Sequence, residues 1–330
     1  MTILVSGGAG YIGSHMVYAL VDAGEDVLVV DDLSTGFDWA VPKGVQLVVG
    51  NIGDQSLLQS ILSQHQVESI IHYAASTVVP DSLRIPLEYY RNNTVNSRSL
   101  IESAINARVR YFIFSSTCAV YGDSPSVVVR EESPPSPMSP YASSKLMTEI
   151  ILRDASAVSD LKYIILRYFN VAGADPLGRT GQSTKNATHL IKVGVEAAVG
   201  KRSGIEVYGT DYNTADGTAV RDYIHVTDLV AAHLDALRYL RDGGASMILN
   251  CGYARGHSVL DVIKTVKRVS GVDFAVKLSG RRAGDLAAIV ADAGRIRSVL
   301  GWKPKFDDLE TIVRHALAWE GIMPPLPSRD

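Results

Sequence analysis

The sequence predicts an α/β protein, a doubly wound parallel sheet with a second, smaller α/β substrate-binding lobe. Three observations carry the prediction. Short apolar runs alternate with helical stretches through the first half of the chain. The first run ends in a glycine-rich turn that opens into a helix. Beyond Phe169 the alternation gives way to a long loop rich in Gly, Asp, Thr and Pro, followed by shorter elements.

The first strand is Met1–Ser6, and Gly7-Gly8-Ala9-Gly10-Tyr11-Ile12-Gly13 is the turn that ends it. Ser14 to Ala23 then has helical spacing, with Ile12, Val17, Leu20 and Val21 as its apolar stripe. Gly8, Gly10 and Gly13 fit G-x-G-x-x-G in the strand–turn–helix setting that gives the motif meaning. Glycine allows a tight turn and leaves room for a pyrophosphate against the backbone. The helix N-terminus offers unpaired N–H groups and a positive dipole end. A second strand, 26–30, ends in Asp31. An acid there bonds a ribose 2′-hydroxyl and repels a 2′-phosphate, which points to NAD rather than NADP. A glycine-rich turn beside a capping aspartate is the plainer reading of these residues; the agreement of strand, glycines, helix, strand and acid weighs against it.

Further buried strands are expected at 45–49, 69–74, 111–115 and 161–169, with helices over 86–108 and 140–158. Ser139-Pro140 starts the latter, Ser as N-cap and Pro at the first helical position. Residues 171–188 read as a functional loop. After it come a helix near 189–199, strands near 205–208 and 274–278, and an amphipathic helix over 226–241. The strand 247–251 could rejoin the first sheet. The expected organisation is a Rossmann cofactor domain over 1–170, with 221–252 returning to it, and a smaller lobe from 171–220 and 253–330.

A net charge of −3 gives no reason to expect nucleic acid as partner, and 46% hydrophobic with 20% charged residues is an ordinary globular mixture. Cys118 and Cys251 are too few for a disulfide framework or a zinc site and read as buried small apolar residues. No metal is expected. With no signal-like start and no eighteen-residue apolar run, the expectation is a cytoplasmic protein off the membrane.

Tyr141 and Lys145 stand four apart, so both project from one face of the helix that begins at Ser139. In an arbitrary helix this would be a packed tyrosine and a solvated lysine. Here the pair follows a dinucleotide fold, and a strand ending in Ser115-Ser116-Thr117 can deliver a hydroxyl beside it. A phenol near pKa 10 is a poor base at neutral pH. A neighbouring ammonium and a positive nicotinamide ring would both lower that value, making the tyrosine a general base for an alcohol and an acid for a ketone.

At this point the chain resembles the extended short-chain dehydrogenase/reductases, and among them the UDP-galactose (UDP-glucose) 4-epimerases. The residues are Gly-Gly-Ala-Gly-Tyr-Ile-Gly-Ser-His at 7–15, Pro-Leu-Glu-Tyr-Tyr at 86–90 leading to Asn92, and Phe-Ser-Ser-Thr at 114–117. Val-Tyr-Gly-Asp at 120–123, Ser-Pro-Tyr at 139–141 with Lys145, Arg-Tyr-Phe-Asn at 167–170 and Asp-Gly-Thr at 216–218 follow. Val-Arg-Asp-Tyr-Ile-His-Val at 220–226 and Arg-Ala-Gly-Asp-Leu at 282–286 complete the set.

The resemblance implies a mechanism. Tyr141 takes the proton from the sugar 4-hydroxyl while C4 passes hydride to NAD, Thr117 holds the oxygen, and Lys145 bridges the nicotinamide ribose. The 4-keto sugar turns over while UDP stays anchored, and hydride returns to its other face. NAD is expected against Gly7, Gly10, Tyr11, Ile12, Gly13, Asp31 and Asp32. Asn51, Ile52, Tyr73, Ala74 and Ala75 extend that site, and Asn92, Ser115, Tyr141, Lys145 and Phe169 complete it. The UDP-sugar is expected on Thr117, Asn170, His189, Leu190, Ile205, Val207 and Tyr208, with Arg221, Arg282 and Asp285 holding UDP and Ile289 bordering the hexose. Two arginines suit a diphosphate because each can bond bidentately; singly, each would read as a surface ion pair. Three positions depart from the family pattern: Asn51 stands where Asp is frequent, Thr77 where a lysine reaches the cofactor phosphates, and His189 where an asparagine contacts the substrate. A homodimer packed through helices 86–108 and 140–158 is expected by the same analogy.

Other readings remain open. A nucleotide-sugar 4,6-dehydratase shares the fold, but it needs an Asp-Glu pair after the threonine, and Thr117 is followed by Cys118 and Ala119. A silent NAD-binding regulator would be expected to lose Tyr141, Lys145 or the hydroxyl, and none is lost. A reductase exchanging free cofactor, and a 4-epimerase of a UDP-N-acetylhexosamine or UDP-pentose, stay among the alternatives.

Overall fold

The apolar runs assemble into one seven-stranded parallel sheet. In the computed structural model, which describes residues 1–282 and 284–324, its order is Met247–Cys251, Lys162–Tyr168, Tyr111–Thr117, Val67–His72, Thr2–Ser6, Asp26–Asp31, Gln46–Val49. Ala283, inside the expected Arg-Ala-Gly-Asp-Leu block, and residues 325–330 of the expected smaller lobe lie outside the described residues.

The two-residue period of a strand sorts the side chains onto opposite faces. Ile3, Val5, Val29, Ile71, Ile113, Ile164 and Leu166 join one apolar cluster, while Leu4, Leu28, Ile70, Phe112 and Ile165 join another. Helices Tyr11–Asp22 and Val226–Arg241 contribute to the first; Gln55–Gln64, Asn96–Asn106 and Pro140–Ser156 contribute to the second. Each fully buried Leu, Ile or Phe contributes roughly 1.5–3 kcal/mol, so both layers are held by the sheet between them. Strand order reverses between Thr2–Ser6 and Val67–His72, and the loops at their carboxyl ends face each other across that switch point. This is where open α/β sheets bind ligands.

The remaining strands form two smaller sheets. Gly256–Ser258, Val220–His225, Ala288–Ala291 and Val128–Val129 pair in that order, with Asn170–Ala172 also on Val220–His225. Gly204–Tyr208 pairs with Ala275–Ser279. Three local expectations are corrected. The loop expected to begin at 171 follows a strand reaching Ala172, because those residues pair with Tyr223–His225. The helix expected over 86–108 ends at Asn106 and passes through a π turn at Tyr90–Val95. There the Asn93 carbonyl accepts from Thr148 Oγ1 (2.9 Å), while the Asn93 amide donates to the Ser76 carbonyl (2.9 Å) and to Ser144 (3.0 Å). Such turns often mark functional sites. Cys251 is buried, whereas Cys118 is only half-buried. Among the described residues no helix is long and apolar enough to cross a membrane.

Candidate active site

The glycine turn is packed so closely that its glycines are obligatory. A Cβ on Gly13 would stand 2.0 Å from the Gly7 carbonyl oxygen, and one on Gly7 (φ +75°) 2.6 Å from the Ala74 nitrogen. Gly7 therefore meets the Tyr73–Ala75 loop at the switch point, joining two stretches expected to share a cofactor. A Cβ on Gly10 would meet the Gly7 carbonyl oxygen at a tight 3.3 Å, and Gly10 borders a small cavity with Ala9, Tyr11 and Ser14. Helix Tyr11–Asp22 has no side-chain cap and no acid in its first turn, so its leading N–H groups and dipole face that space. The cradle fits a dinucleotide pyrophosphate.

Asp31 is buried at the end of the second strand and accepts from the Ala9 N–H (2.9 Å) and Leu33 N–H (2.8 Å). Burial pushes its carboxyl up from the usual range, against those two N–H groups. Asp32 is exposed and accepts from Asn51 at 3.2 Å, a bond that an aspartate at 51 could not donate. Asn51 also accepts from Asn96 (3.0 Å), Asn96 donates to Asn92 (3.3 Å), and Asn92 donates to Ser76 (2.9 Å). Thr77 is exposed beside this chain of amides. The Tyr73 hydroxyl is buried without a hydrogen-bond partner among the described residues. Two side chains expected at the cofactor are committed elsewhere. The Tyr11 hydroxyl donates to the Gly173 carbonyl at 2.7 Å, and Ile52 is buried in the core, leaving their backbone groups for a ligand.

Tyr141 and Lys145 do share a buried helix face, behind the Ser139 hydroxyl that accepts from the Ala142 N–H (3.2 Å). The Lys145 ammonium donates to the Ser115 carbonyl (2.9 Å) and sits over the Phe114 ring at 4.9 Å. The Thr117 side chain stands by Tyr141 and favours its phenolate. The lysine is only 3% exposed. Burial pulls it down to about 7, with the Glu149 carboxylate opposing. The expected lowering of the tyrosine is not found. Burial pushes Tyr141 well above the ordinary phenol value, Tyr168 adds to the rise, and Thr117 opposes it. The cause is physical: both partners lie in the same dry pocket, and desolvation disfavours phenolate and ammonium alike.

In the smaller sheets, Arg221 is half-buried and donates only to the Val220 carbonyl (2.8 Å), with no carboxylate partner among the described residues. It acts electrostatically on Cys118, the neighbour of Thr117. Arg282 is exposed, pairs with Asp285 (3.0 Å) and lies over the Tyr208 ring at 5.3 Å. Arg282, Asp285 and Tyr208 are thus together. Ile205 and Val207 point the other way, into the core, so only their backbone is left for a nucleotide. Asn170 pairs opposite Tyr223 and is half-buried. His189 caps helix Leu190–Ala198 without a side-chain cap bond and meets Gln182 at 2.8 Å; Leu190, the first helical residue, is half-buried. Ile289 and Phe169, expected at the hexose and the cofactor, are 3% and 4% exposed and pack with Val120 and Tyr121 in a small core cluster.

Sequence reasoning passed over Ser76, which fixes both Asn92 and Asn93, and Thr35 and Phe37, which join Gly10 and Tyr11 around a small cavity. It also passed over Glu149. That signal was available: a charged residue eight positions after Tyr141 returns to the buried face.

Residues 3–252 match the family model "NAD dependent epimerase/dehydratase family". The UDP-glucose 4-epimerase of Azospirillum brasilense is 54% identical over 318 residues, covering 96% of this chain and 91% of that protein. A UDP-glucose 4-epimerase from Brucella ovis, solved in complex with NAD, superposes with a TM-score of 0.93 at 40% identity, covering 96% and 97% of the two chains. The UDP-Glc/GlcNAc 4-epimerase of Campylobacter jejuni gives 0.85 at 45% identity, covering 97% and 99%. The chain belongs to the NAD dependent epimerase/dehydratase family and, within it, to the UDP-glucose 4-epimerases.

Proposed function

We infer that this protein interconverts UDP-glucose and UDP-galactose by NAD-dependent epimerisation at C4. The observation that carries the reading is the meeting of Tyr141, Thr117 and Lys145 beside the carboxyl end of the parallel sheet. Tyr141 takes the proton of the sugar 4-hydroxyl and gives it back, Thr117 orients that oxygen, and Lys145 stabilises the phenolate. When bound, NAD supplies a hydride acceptor that returns the hydride within the same turnover. Gly7, Gly10 and Gly13 admit the pyrophosphate, and Asp31 selects the free 2′-hydroxyl. Arg221 and Arg282 grip the UDP diphosphate from two sides. Strand Gly204–Tyr208 has a partner on one edge only among the described residues, leaving N–H and C=O groups to read a uracil edge.

The same proposal divides the chain into a cofactor lobe on the seven-stranded sheet and a UDP-sugar lobe on the smaller sheets. It includes a homodimer: Leu87 (80% exposed), Met147 and Ile150 leave apolar surface on the segments at 86–106 and 140–156, which suits a second copy of this chain. Free Cys118 and Cys251 suit a reducing cytoplasm. A second reading, slower turnover of UDP-N-acetylglucosamine, is favoured by Ile289: the family resemblance implies that a tyrosine at this position goes with rejection of the 2-acetamido group, and Ile289 lacks its ring and hydroxyl. Incubating pure protein with single UDP-sugars and no added cofactor, then separating products, tests both. Formation of UDP-galactose from UDP-glucose supports the first reading, and an unchanged sugar refutes it.

A further inference from the structure

Helix Pro140–Ser156 carries a third ionisable residue on its buried face. Glu149 lies four residues beyond Lys145 and eight beyond Tyr141, so all three form one stripe. A carboxylate in such a place is costly unless paired and fully hydrogen-bonded. Glu149 meets both conditions. Arg167 Nε donates to Oε1 at 3.0 Å and to Oε2 at 3.2 Å, and Nη2 donates to Oε2 at 2.6 Å. The Ser116 hydroxyl donates to Oε1 as well. Arg167 is itself held: its guanidinium lies over the Tyr121 ring at 4.9 Å, and the Tyr121 hydroxyl donates to Asn250 at 2.6 Å.

Two consecutive residues of strand Tyr111–Thr117 are therefore gripped by one helix face, and the next lies beside it. Lys145 holds the Ser115 carbonyl and Glu149 the Ser116 hydroxyl, while Tyr141 stands by the Thr117 side chain. The Glu149 tie carries the ion pair with Arg167 and lies between the other two contacts.

We propose that Glu149, locked by Arg167 and Ser116, is a positioning residue that sets Tyr141, Lys145 and Thr117 in register and provides the anion facing the buried Lys145 ammonium. The proposal rests on the reading of Tyr141 and Lys145 as the acid/base pair, and adds to it a residue that touches neither sugar nor cofactor. The groups facing Lys145 come from several elements. His72 on strand Val67–His72 is kept neutral, chiefly by burial and further by the ammonium. Phe114 and the Ser115 carbonyl on strand Tyr111–Thr117 are uncharged, and Glu149 opposes the burial that pulls the lysine down. Glu149 is faced by Arg167 and Tyr163 from strand Lys162–Tyr168 and by Ser116. With the carboxylate neutralised, the ammonium is lost at lower pH and the alkaline limb of activity moves toward acid.

Glu149→Gln keeps the shape and removes the charge, but it strands Arg167. The double variant Glu149→Gln/Arg167→Met removes both charges at similar volume and guards against unfolding. Profiles of kcat and KM against pH on NAD-loaded protein, with melting temperatures, are the readout. The expected result in either folded variant is a fall of about tenfold in kcat at neutral pH, an unchanged KM for UDP-glucose, and an alkaline limb lowered by about one pH unit. Glu149→Asp restores the limb. A lower melting temperature with native kcat and a native pH profile overturns the proposal. If the unaltered protein turns over no UDP-sugar, the functional reading fails by itself. The positioning claim is then read from the Tyr141 phenolate absorbance of NAD-loaded protein, which titrates at higher pH in the variants if the claim holds and at the native pH if it does not.

Discussion

The glycine turn at residues 7–13 and the segment around Arg282 are both assigned phosphates, and they are built in opposite ways. The turn offers backbone alone, with a Gly13 Cβ excluded by a 2.0 Å approach to Gly7 and a helix end that carries no cap. Around Arg282 the chain offers an exposed side chain, an ion pair to Asp285 and a ring contact to Tyr208. A rigid backbone cradle cannot adjust without moving the sheet behind it, which suits a cofactor that stays bound. A mobile guanidinium can follow a ligand that must leave, and whose sugar must turn while UDP is held. Arg221 lies between the extremes, half-buried and without a carboxylate competing for it among the described residues.

The sharpest way to break this contrast is Gly13→Ala. The added methyl has only backbone to displace, so the purified variant is expected to lose nearly all bound NAD while keeping its secondary structure. Cofactor content after denaturation measures it, and native NAD content would show that the turn is not the cradle. Next comes Tyr141→Phe, which leaves both phosphate sites intact and is expected to cost about 100-fold or more in turnover, with NAD content and UDP affinity unchanged. Its pH counterpart has a definite sign. Burial raises Tyr141, so the cofactor-free protein stays a phenol through neutral pH and into the alkaline range, and phenolate absorbance is expected only once NAD⁺ adds positive charge. Equal titration with and without NAD would leave the cofactor no part in activating the base.

The two arginines then measure the contrast within the substrate side. Arg221→Ala is expected to raise KM for UDP-glucose about 10- to 100-fold, the value of a charge-assisted hydrogen bond from a guanidinium that no carboxylate among the described residues holds. Arg282→Ala is expected to raise it only a few-fold, since exposure screens its charge and Asp285 competes for it. Steady-state kinetics on both decides the order, and a larger effect at Arg282 would invert the picture. The smallest effect belongs to Ile289→Val. Removing one buried methylene costs roughly 0.5–1.5 kcal/mol in stability and is expected to favour the acetylated sugar over the plain one by a few-fold. A loss of stability with no change in that ratio would make Ile289 a packing residue alone.

The sequence by itself determined whatever depends on spacing. Glycines at 8, 10 and 13 between an apolar run and a helix specify the turn, Ser139-Pro140 starts the helix, and a separation of four sets Tyr141 and Lys145 on one face. The alternation of the first half specifies the parallel sheet, and the run at 247–251 joins it beside Lys162–Tyr168. These are local rules, read within a dozen residues. Only the tertiary structure decided the rest. Whether Tyr141 is raised or lowered depends on how completely its pocket excludes water, with Tyr168 and Tyr89 adding electrostatically to the rise. Whether Asn51 is a defect or a donor depends on Asp32, nineteen positions away. Ile205 and Val207 are committed to the core, clustered with Ile191 and Val195 of the preceding helix and with Val262 and Val266 from later in the chain, and Glu149 has meaning only beside Arg167 from the next strand. Desolvation and ion pairing are sums over everything nearby in space, and neighbours in space are what a linear pattern does not contain.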